Sequence, residues 1–300
     1  MPIRVANAPC SWGVLEFDAH GPALDCSQVL DQLASTGYAG TELGDWGFMP
    51  TAPPALNAEI GRRALTLVGA FVPVNLSESS AHPEGIARAS RTAHLLRDAG
   101  YPQAFVVLAD VTDGNTRRIA VAGRVGDADG LSPSQWDVLA RGADAIARSV
   151  HERTGVRTVF HPHCGSFVET AREVDTLMER TDPALLGLCL DTGHLTYAGA
   201  DPLSIFERYR DRVWHVHFKD CEPGVAAEAR RSKSDYFTAV RSGVFCELGR
   251  GIVDFPGLVG SMRRSGYDGW IVVEQDVLPA LGTPEESARR NREYLRTLGL

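Results

Sequence analysis

The chain has 300 residues, 44% hydrophobic and 23% charged, a composition that builds an ample core without disulfides or a structural metal. Its 30 basic and 38 acidic residues leave a net charge of −8, which argues against a broad nucleic-acid-binding or anionic-membrane surface. Six scattered cysteines (Cys10, Cys26, Cys164, Cys189, Cys221, Cys246) without a CxxC pair, no basic-then-apolar leader in MPIRVANAPCSWG, and no apolar run near the roughly 18 residues that span a bilayer lead to the expectation of a cytoplasmic protein.

Short apolar runs, mostly bounded by Gly, Pro, Asp or Asn, predict buried parallel strands at Ile3–Ala8, Ala39–Leu43, Leu65–Val74, Ala104–Ala109, Arg157–His161, Leu185–Leu190, Val213–Phe218 and Trp270–Glu274. Helical spacing lies between them. Leu30, Leu33 and Ala34 follow Ser27 as a cap, and Ile86, Ala89, Ala93 and Leu96 run to a stop at Gly100. Ser132 to Arg153 has Pro133 in its first turn and Trp136, Leu139, Ala143, Ile146 and Val150 on one stripe. Thr170 and Glu173 form a capping-box pattern that opens a helix through Met178; Pro202–Tyr209, Phe255–Arg264 and Pro284–Leu298 complete the set. This strand–helix alternation, repeated eight times, predicts an α/β fold: a single (β/α)₈ TIM barrel over residues 1–300. A doubly wound sheet is the rival, but no GxGxxG follows the first strand. Two long βα loops, 110–131 and 221–244, are expected to overhang the mouth.

Ionisable residues collect at the carboxyl ends of these strands, where barrel active sites form. Glu42 ends the second strand. His161 and His163 share a face at the end of the fifth. Asp191 ends the sixth, three residues before His194, and Glu274 ends the eighth, two before Asp276. In VWHVHFKD, alternation puts His215, His217 and Lys219 on one face and Val216, Phe218 and Asp220 on the other. A single strand-end histidine is more often a hydrogen-bonded core group than a ligand, and His215, deepest in its strand, reads as support. Glu42 alone reads as a partner of loop amides, Glu169 as helix-entry solvation, and Trp12, Trp46 and Phe48 equally as packing or as walls against sugar C–H faces. His20, His82, His94 and His151 carry no functional case. Five strands delivering carboxylates or imidazoles to one rim are hard to explain as packing, because buried ionisable groups need partners or a metal. The mixed nitrogen and oxygen set suits Mn²⁺, Co²⁺, Fe²⁺ or Zn²⁺, with Mg²⁺ allowed.

APCSWG, YAGTELGDWGFMP, FHPHCGSFVET, CLDTGHLTYAGADP, HVHFKD, GVFCELGRGIVDF and GYDGWIVVEQD, in that order along most of the chain, resemble the xylose isomerase-like barrels and, among them, the myo-inosose (2-keto-myo-inositol) dehydratases. In related isomerases Glu, Asp, His and Glu from strands five to eight hold the metal. Asp191, His217 and Glu274 match three of these. The first falls on His161, with Glu169 in the following loop as the alternative.

The resemblance implies a small polyhydroxylated ketone as substrate, Mn²⁺ or Co²⁺ as cofactor, an enediolate intermediate, and a fold that often forms homo-oligomers. Catalytic candidates are Glu42, His163, His194, Lys219 and Glu274. Candidates for substrate contact are Trp12, Trp46, His163, His194, Lys219 and Glu169, and the metal set is His161, Asp191, His217 and Glu274. Dehydration, epimerisation and aldose–ketose isomerisation all fit. An AP-endonuclease-like phosphodiesterase and a non-catalytic sugar-binding barrel are the further alternatives.

Overall fold

The computed structural model describes residues 3–13, 24–275 and 282–300; His20 and Asp276 lie outside them. Eight parallel strands close into a barrel: β1 (Arg4–Asn7), β2 (Gly40–Glu42), β3 (Thr66–Val74), β4 (Phe105–Asp110), β5 (Arg157–Phe160), β6 (Leu186–Asp191), β7 (Val213–Phe218) and, after the short antiparallel pair β8 (Asp220–Cys221) and β9 (Phe245–Cys246), β10 (Trp270–Val273). The barrel order is β1-β10-β7-β6-β5-β4-β3-β2. Every predicted strand is present, with ends within one residue of expectation, the usual uncertainty of an element boundary.

The large apolar core fills the space between strands and helices: Leu67, Val106, Leu188, Val216 and Ile271 meet Leu30, Leu96, Ile146 and Leu258. Three smaller clusters are separate from it, and two of them lie inside the barrel. One joins Val107, Val159 and Cys189; the other joins Ala6, Ala8, Val68, Trp270 and Val272. Strand alternation explains the separation, since these side chains point inward and plug the barrel. It also sets the depth of the polar residues. His161, Asp191 and Glu274 lie two positions beyond Val159, Cys189 and Val272 on the same faces, so they sit on top of the plug.

Several local readings change. The first helix, Cys26–Ser35, is capped by Asp25, whose side chain accepts from the Gln28 amide; Ser27 lies inside the helix. A helix at Pro53–Gly61 and another at Thr192–Tyr197 were not anticipated. The first buries only Leu56 and Ile60, and the second is too short to show a period. The two long connections are not irregular. The earlier contains the helix Thr116–Val121; the later contains Pro223–Ser232 and Tyr236–Arg241 and is closed by β8 pairing with β9.

A buried ion pair ties the earlier connection down. Arg118, fully buried, reaches Glu173 with two bonds of 2.8 and 2.9 Å, and its Nε donates to the Ser166 carbonyl. Glu173 is also the capping-box residue of Ala171–Arg180, accepting from the amides of Glu169 and Thr170. Removing Glu173 takes both of these bonds from the buried guanidinium and leaves it Glu169 Oε2 at 3.9 Å. Glu173→Ala should therefore lower unfolding free energy by roughly 3–5 kcal/mol, read from urea unfolding of the whole chain; a loss of less than about 1 kcal/mol, the scale of an exposed pair, would contradict it.

Candidate active site and metal centre

The inward face of β7 supplies two imidazoles that meet one carboxylate from across the barrel. Glu42 Oε1 accepts from His215 Nε2 at 2.7 Å and from His217 Nε2 at 3.0 Å. Burial alone would raise the Glu42 pKa, but the charge of His217 and the hydrogen bonds from both rings outweigh it and hold the carboxyl at about 2. The pairing requires Gly69 on β3, because a Cβ there would come within 2.6 Å of Glu42 Oε1. Glu42 thus fixes the His217 ring and leaves Nδ1 facing the mouth, the carboxylate–histidine arrangement that orients metal ligands.

Nδ1 of His217 lies 3.2 Å from Glu274 Oε1 and 3.9 Å from Asp191 Oδ2, and His161 Nε2 lies 3.5 Å from the same Asp191 oxygen. One candidate atom from each of His161, Asp191, His217 and Glu274 falls within 4.8 Å of all the others. Asp191 divides its work. Oδ1 caps Thr192–Tyr197 by accepting the His194 amide at 2.7 Å, while Oδ2 is buried without a hydrogen-bond partner among the described residues. Neither nitrogen of buried His161 has a hydrogen-bond partner among the described residues either. Orphaned polar atoms of this kind are costly, and Asp191 Oδ2 and His161 Nε2 face each other at 3.5 Å. Burial opposes charge on both Glu274 and His217. Nevertheless the charges of His217 and Lys219 hold Glu274 well below the usual carboxylate range, and Cys189, Glu274 and Glu42 drive His217 well above the usual imidazole range. The pocket demands positive charge, and its two imidazoles and two carboxylates fit a divalent cation of the Mn²⁺, Co²⁺, Fe²⁺ or Zn²⁺ kind.

Around this centre stand Lys219, His163 and His194. Lys219 Nζ lies 3.2 Å from Glu274 Oε2 and 4.8 Å above the Phe245 ring. Its backbone is held by Thr192, whose hydroxyl accepts from the Lys219 amide and donates to its carbonyl. Gly193 lets the stem pass, since a Cβ there would meet Lys219 Cγ at 2.5 Å. The His163 and His194 rings lie 4.1 Å apart between centroids. Burial lowers both their pKa values, His163 to about 3 with His161 and Lys219 adding to the effect, and His194 well below the usual range. Asp220 turns away from the site and accepts the amides of Cys221, Gly249, Gly251 and Val253, fixing the chain after β9.

Other candidates fall elsewhere. Both Glu169 oxygens are taken by backbone amides, Gly123 at 2.6 Å and Gly165 at 2.7 Å, and burial raises its pKa to about 7. It ties the earlier connection to the turn after β5. Trp12 packs in the outer core and donates to Gln32. Trp46 is exposed, its ring under the Arg91 guanidinium. Sequence reasoning did not find Tyr236, Phe245 or Thr112. Tyr236 and Phe245 pack their rings against His194, and Thr112 sits 3.1 Å from His163 Nδ1. Phe245 lies in the GVFCELGRG stretch; nothing singled out Tyr236.

Residues 30–298 match the xylose isomerase-like TIM barrel family. The chain belongs to that family. It is 34% identical to the inosose dehydratase of Geobacillus kaustophilus (strain HTA426) over 99% of this chain and 95% of that one. It is 32% identical to the inosose dehydratase of Lacticaseibacillus casei over 98% of this chain and 97% of the other. Among solved structures, the probable 3-DHS dehydratase AsbF from Bacillus anthracis superposes with a TM-score of 0.70 at 16% identity, covering 98% of this chain and 99% of that one. No helix among the described residues is long and apolar enough to cross a membrane.

Metal titration separates the two strand-five ligand readings. His161→Ala and Asp191→Ala should each abolish stoichiometric Co²⁺ binding, and Glu42→Gln should weaken it by about 10–100-fold, whereas Glu169→Gln should leave it unchanged. Full occupancy in Asp191→Ala, or loss in Glu169→Gln alone, would refute the assignment.

Proposed function

We propose that this protein is a divalent-metal-dependent carbohydrate lyase that removes water from 2-keto-myo-inositol, a neutral polyhydroxylated ketone. The observation that carries the reading is the convergence of His161, Asp191, His217 and Glu274 with Lys219 on one point above the barrel plug. The names of the two inosose dehydratases, matched over nearly the full length of both chains, support the same activity. Charge supports a neutral substrate. Among the described residues, the guanidiniums of the overhanging connections are engaged: Arg118 with Glu173, Arg124 with the Ser234 carbonyl, Arg230 with the Tyr197 carbonyl. Lys219 is the cation beside the cluster, and it lies against Glu274, which leaves little to hold a phosphate or carboxylate.

His161, Asp191, His217 and Glu274 would hold the metal, with Mn²⁺ and Co²⁺ among the ions that this donor set fits, which when bound supplies Lewis-acid polarisation of a substrate carbonyl. The remaining work falls to side chains. Glu274 Oε2 takes the proton from the carbon next to the carbonyl, and the C–H electron pair enters an enediolate. The β C–O bond then breaks with its electron pair, the departing oxygen takes a proton from Lys219 Nζ, and water leaves. Glu274 Oε2–H returns its proton to Nζ across the 3.2 Å contact, so both groups are restored. Glu42 touches no substrate in this scheme. It positions His217.

The decisive assay incubates Mn²⁺- or Co²⁺-loaded protein with 2-keto-myo-inositol in D₂O. Ultraviolet absorbance of a dione product is expected, and Lys219→Met should lose on the order of 10²–10⁴-fold in kcat with metal content unchanged. Deuterium exchange without dione would favour an epimerase or isomerase on the same residues. The absence of both signals would contradict the enzyme reading.

A further inference from the structure

Beneath the carboxylates of the candidate centre lies a thiol that the mechanism does not use. Cys189 stands two residues before Asp191 on β6, so alternation puts both side chains on the inward face, the cysteine one layer lower. It is fully buried and belongs to the barrel plug with Val107 and Val159. A buried cysteine commonly serves as a small apolar side chain. Here its surroundings are not all apolar. Cys189 Sγ, one nitrogen of His161 and one nitrogen of His217 all lie within 4.8 Å of one another. Three atoms so spaced leave a point no more than about 2.8 Å from each (4.8 Å over the square root of three), and a contraction of at most about 0.8 Å reaches the roughly 2.0–2.3 Å of imidazole and thiolate bonds to a metal. His161 gives the independent sign of a ligand. It is 3% exposed, and neither of its nitrogens has a hydrogen-bond partner among the described residues.

We propose that His161, Cys189 and His217 form a second, deeper seat for a soft divalent cation, which keeps an ion out of the seat above by taking both imidazoles. The two donor sets share His161 and His217 and differ in hardness. The upper one adds the carboxylates of Asp191 and Glu274, which suit Mn²⁺; the lower one adds sulfur, which favours thiophilic ions such as Cd²⁺. On binding, the Cys189 S–H bond breaks, its proton goes to solvent, and the sulfur electron pair forms the bond to the ion. A soft ion drawn in through the mouth therefore settles below the carboxylates and competes with Mn²⁺ for the protein. The seat is built from side chains of the barrel alone and does not depend on the identity of the substrate.

Cd²⁺ titration of the whole, metal-free chain tests it, followed by the ultraviolet charge-transfer absorbance of a cadmium–thiolate bond. The parent should take one Cd²⁺ per chain with that absorbance. Cys189→Ser should lose the absorbance and still bind Mn²⁺, which shows that the variant is folded; Cys189→Ala, which brings no hydroxyl into the plug, should behave the same way. Asp191→Asn keeps an oxygen for the helix cap, and it should lose Mn²⁺ while retaining the Cd²⁺ absorbance. Equal absorbance in the parent and in both Cys189 variants would assign it to another cysteine and overturn the proposal. Electron paramagnetic resonance of Mn²⁺ supplies a second arm, because Cd²⁺ should release bound Mn²⁺ from the parent. Cd²⁺ that binds through sulfur and leaves Mn²⁺ in place would also overturn it. Thiolate absorbance that depends on Cys189, in a parent that takes up no Mn²⁺ and turns over no 2-keto-myo-inositol, would sink the upper centre and leave this seat standing.

Discussion

Three carboxylates converge inside the mouth of this barrel, and their need for positive charge organises the structure around them. Glu42 and Asp191 are buried and Glu274 is nearly so. Taking such groups out of water is expensive, and the low-dielectric interior strengthens both their repulsion and any attraction to a cation. Lys219 and the imidazole of His217 meet part of that need. Asp191 Oδ2 and the His161 ring, which have no hydrogen-bond partner among the described residues, show where the rest is unmet. A divalent cation between Asp191 Oδ2 and one His161 nitrogen would meet that need together with His217 and Glu274.

The scaffold reads as a set of devices that hold this centre in place. Glu42 lies across the barrel from β7 and fixes the ring of His217, with Gly69 leaving room for its oxygen. Asp191 is steadied because its other oxygen caps a helix. Thr192 pins the backbone of Lys219, and Asp220, facing away, secures the chain that follows with four amides. Farther out, Glu169, Arg118 and Glu173 lock the earlier long connection to the turn carrying His163 and Cys164. The two connections also meet, Arg124 reaching the Ser234 carbonyl and Arg230 that of Gly123. Supporting partners of this kind commonly decide ligand orientation as much as the ligands themselves do.

Much of this was legible in the sequence, for a definite reason. A parallel barrel buries both faces of its strands, so an ionisable residue near a strand's carboxyl end stands out against an apolar run, and alternation tells which way it points. That is how Asp191, His217, Lys219 and Glu274 emerge from LDTGH, VWHVHFKD and VVEQD. What stayed hidden depends on long-range pairing. Glu42 and His215 are 173 residues apart, and nothing local says that they meet. Glu169 sits as close in sequence to the mouth as a ligand would, yet amides from two turns occupy both its oxygens. Tyr236 belongs to a short helix whose orientation over His163 follows from the antiparallel pairing of β8 with β9, which two-residue strands do not announce.

Anomalous diffraction from crystals grown with Mn²⁺ tests the central claim most directly. The account predicts one strong peak per chain, enclosed by His161, Asp191, His217 and Glu274, with His217 contributing Nδ1 while Nε2 stays on Glu42. A peak between Glu42, His215 and His217, or no peak at the mouth, would contradict it. Three peaks clustered there would point instead to a multinuclear phosphodiesterase.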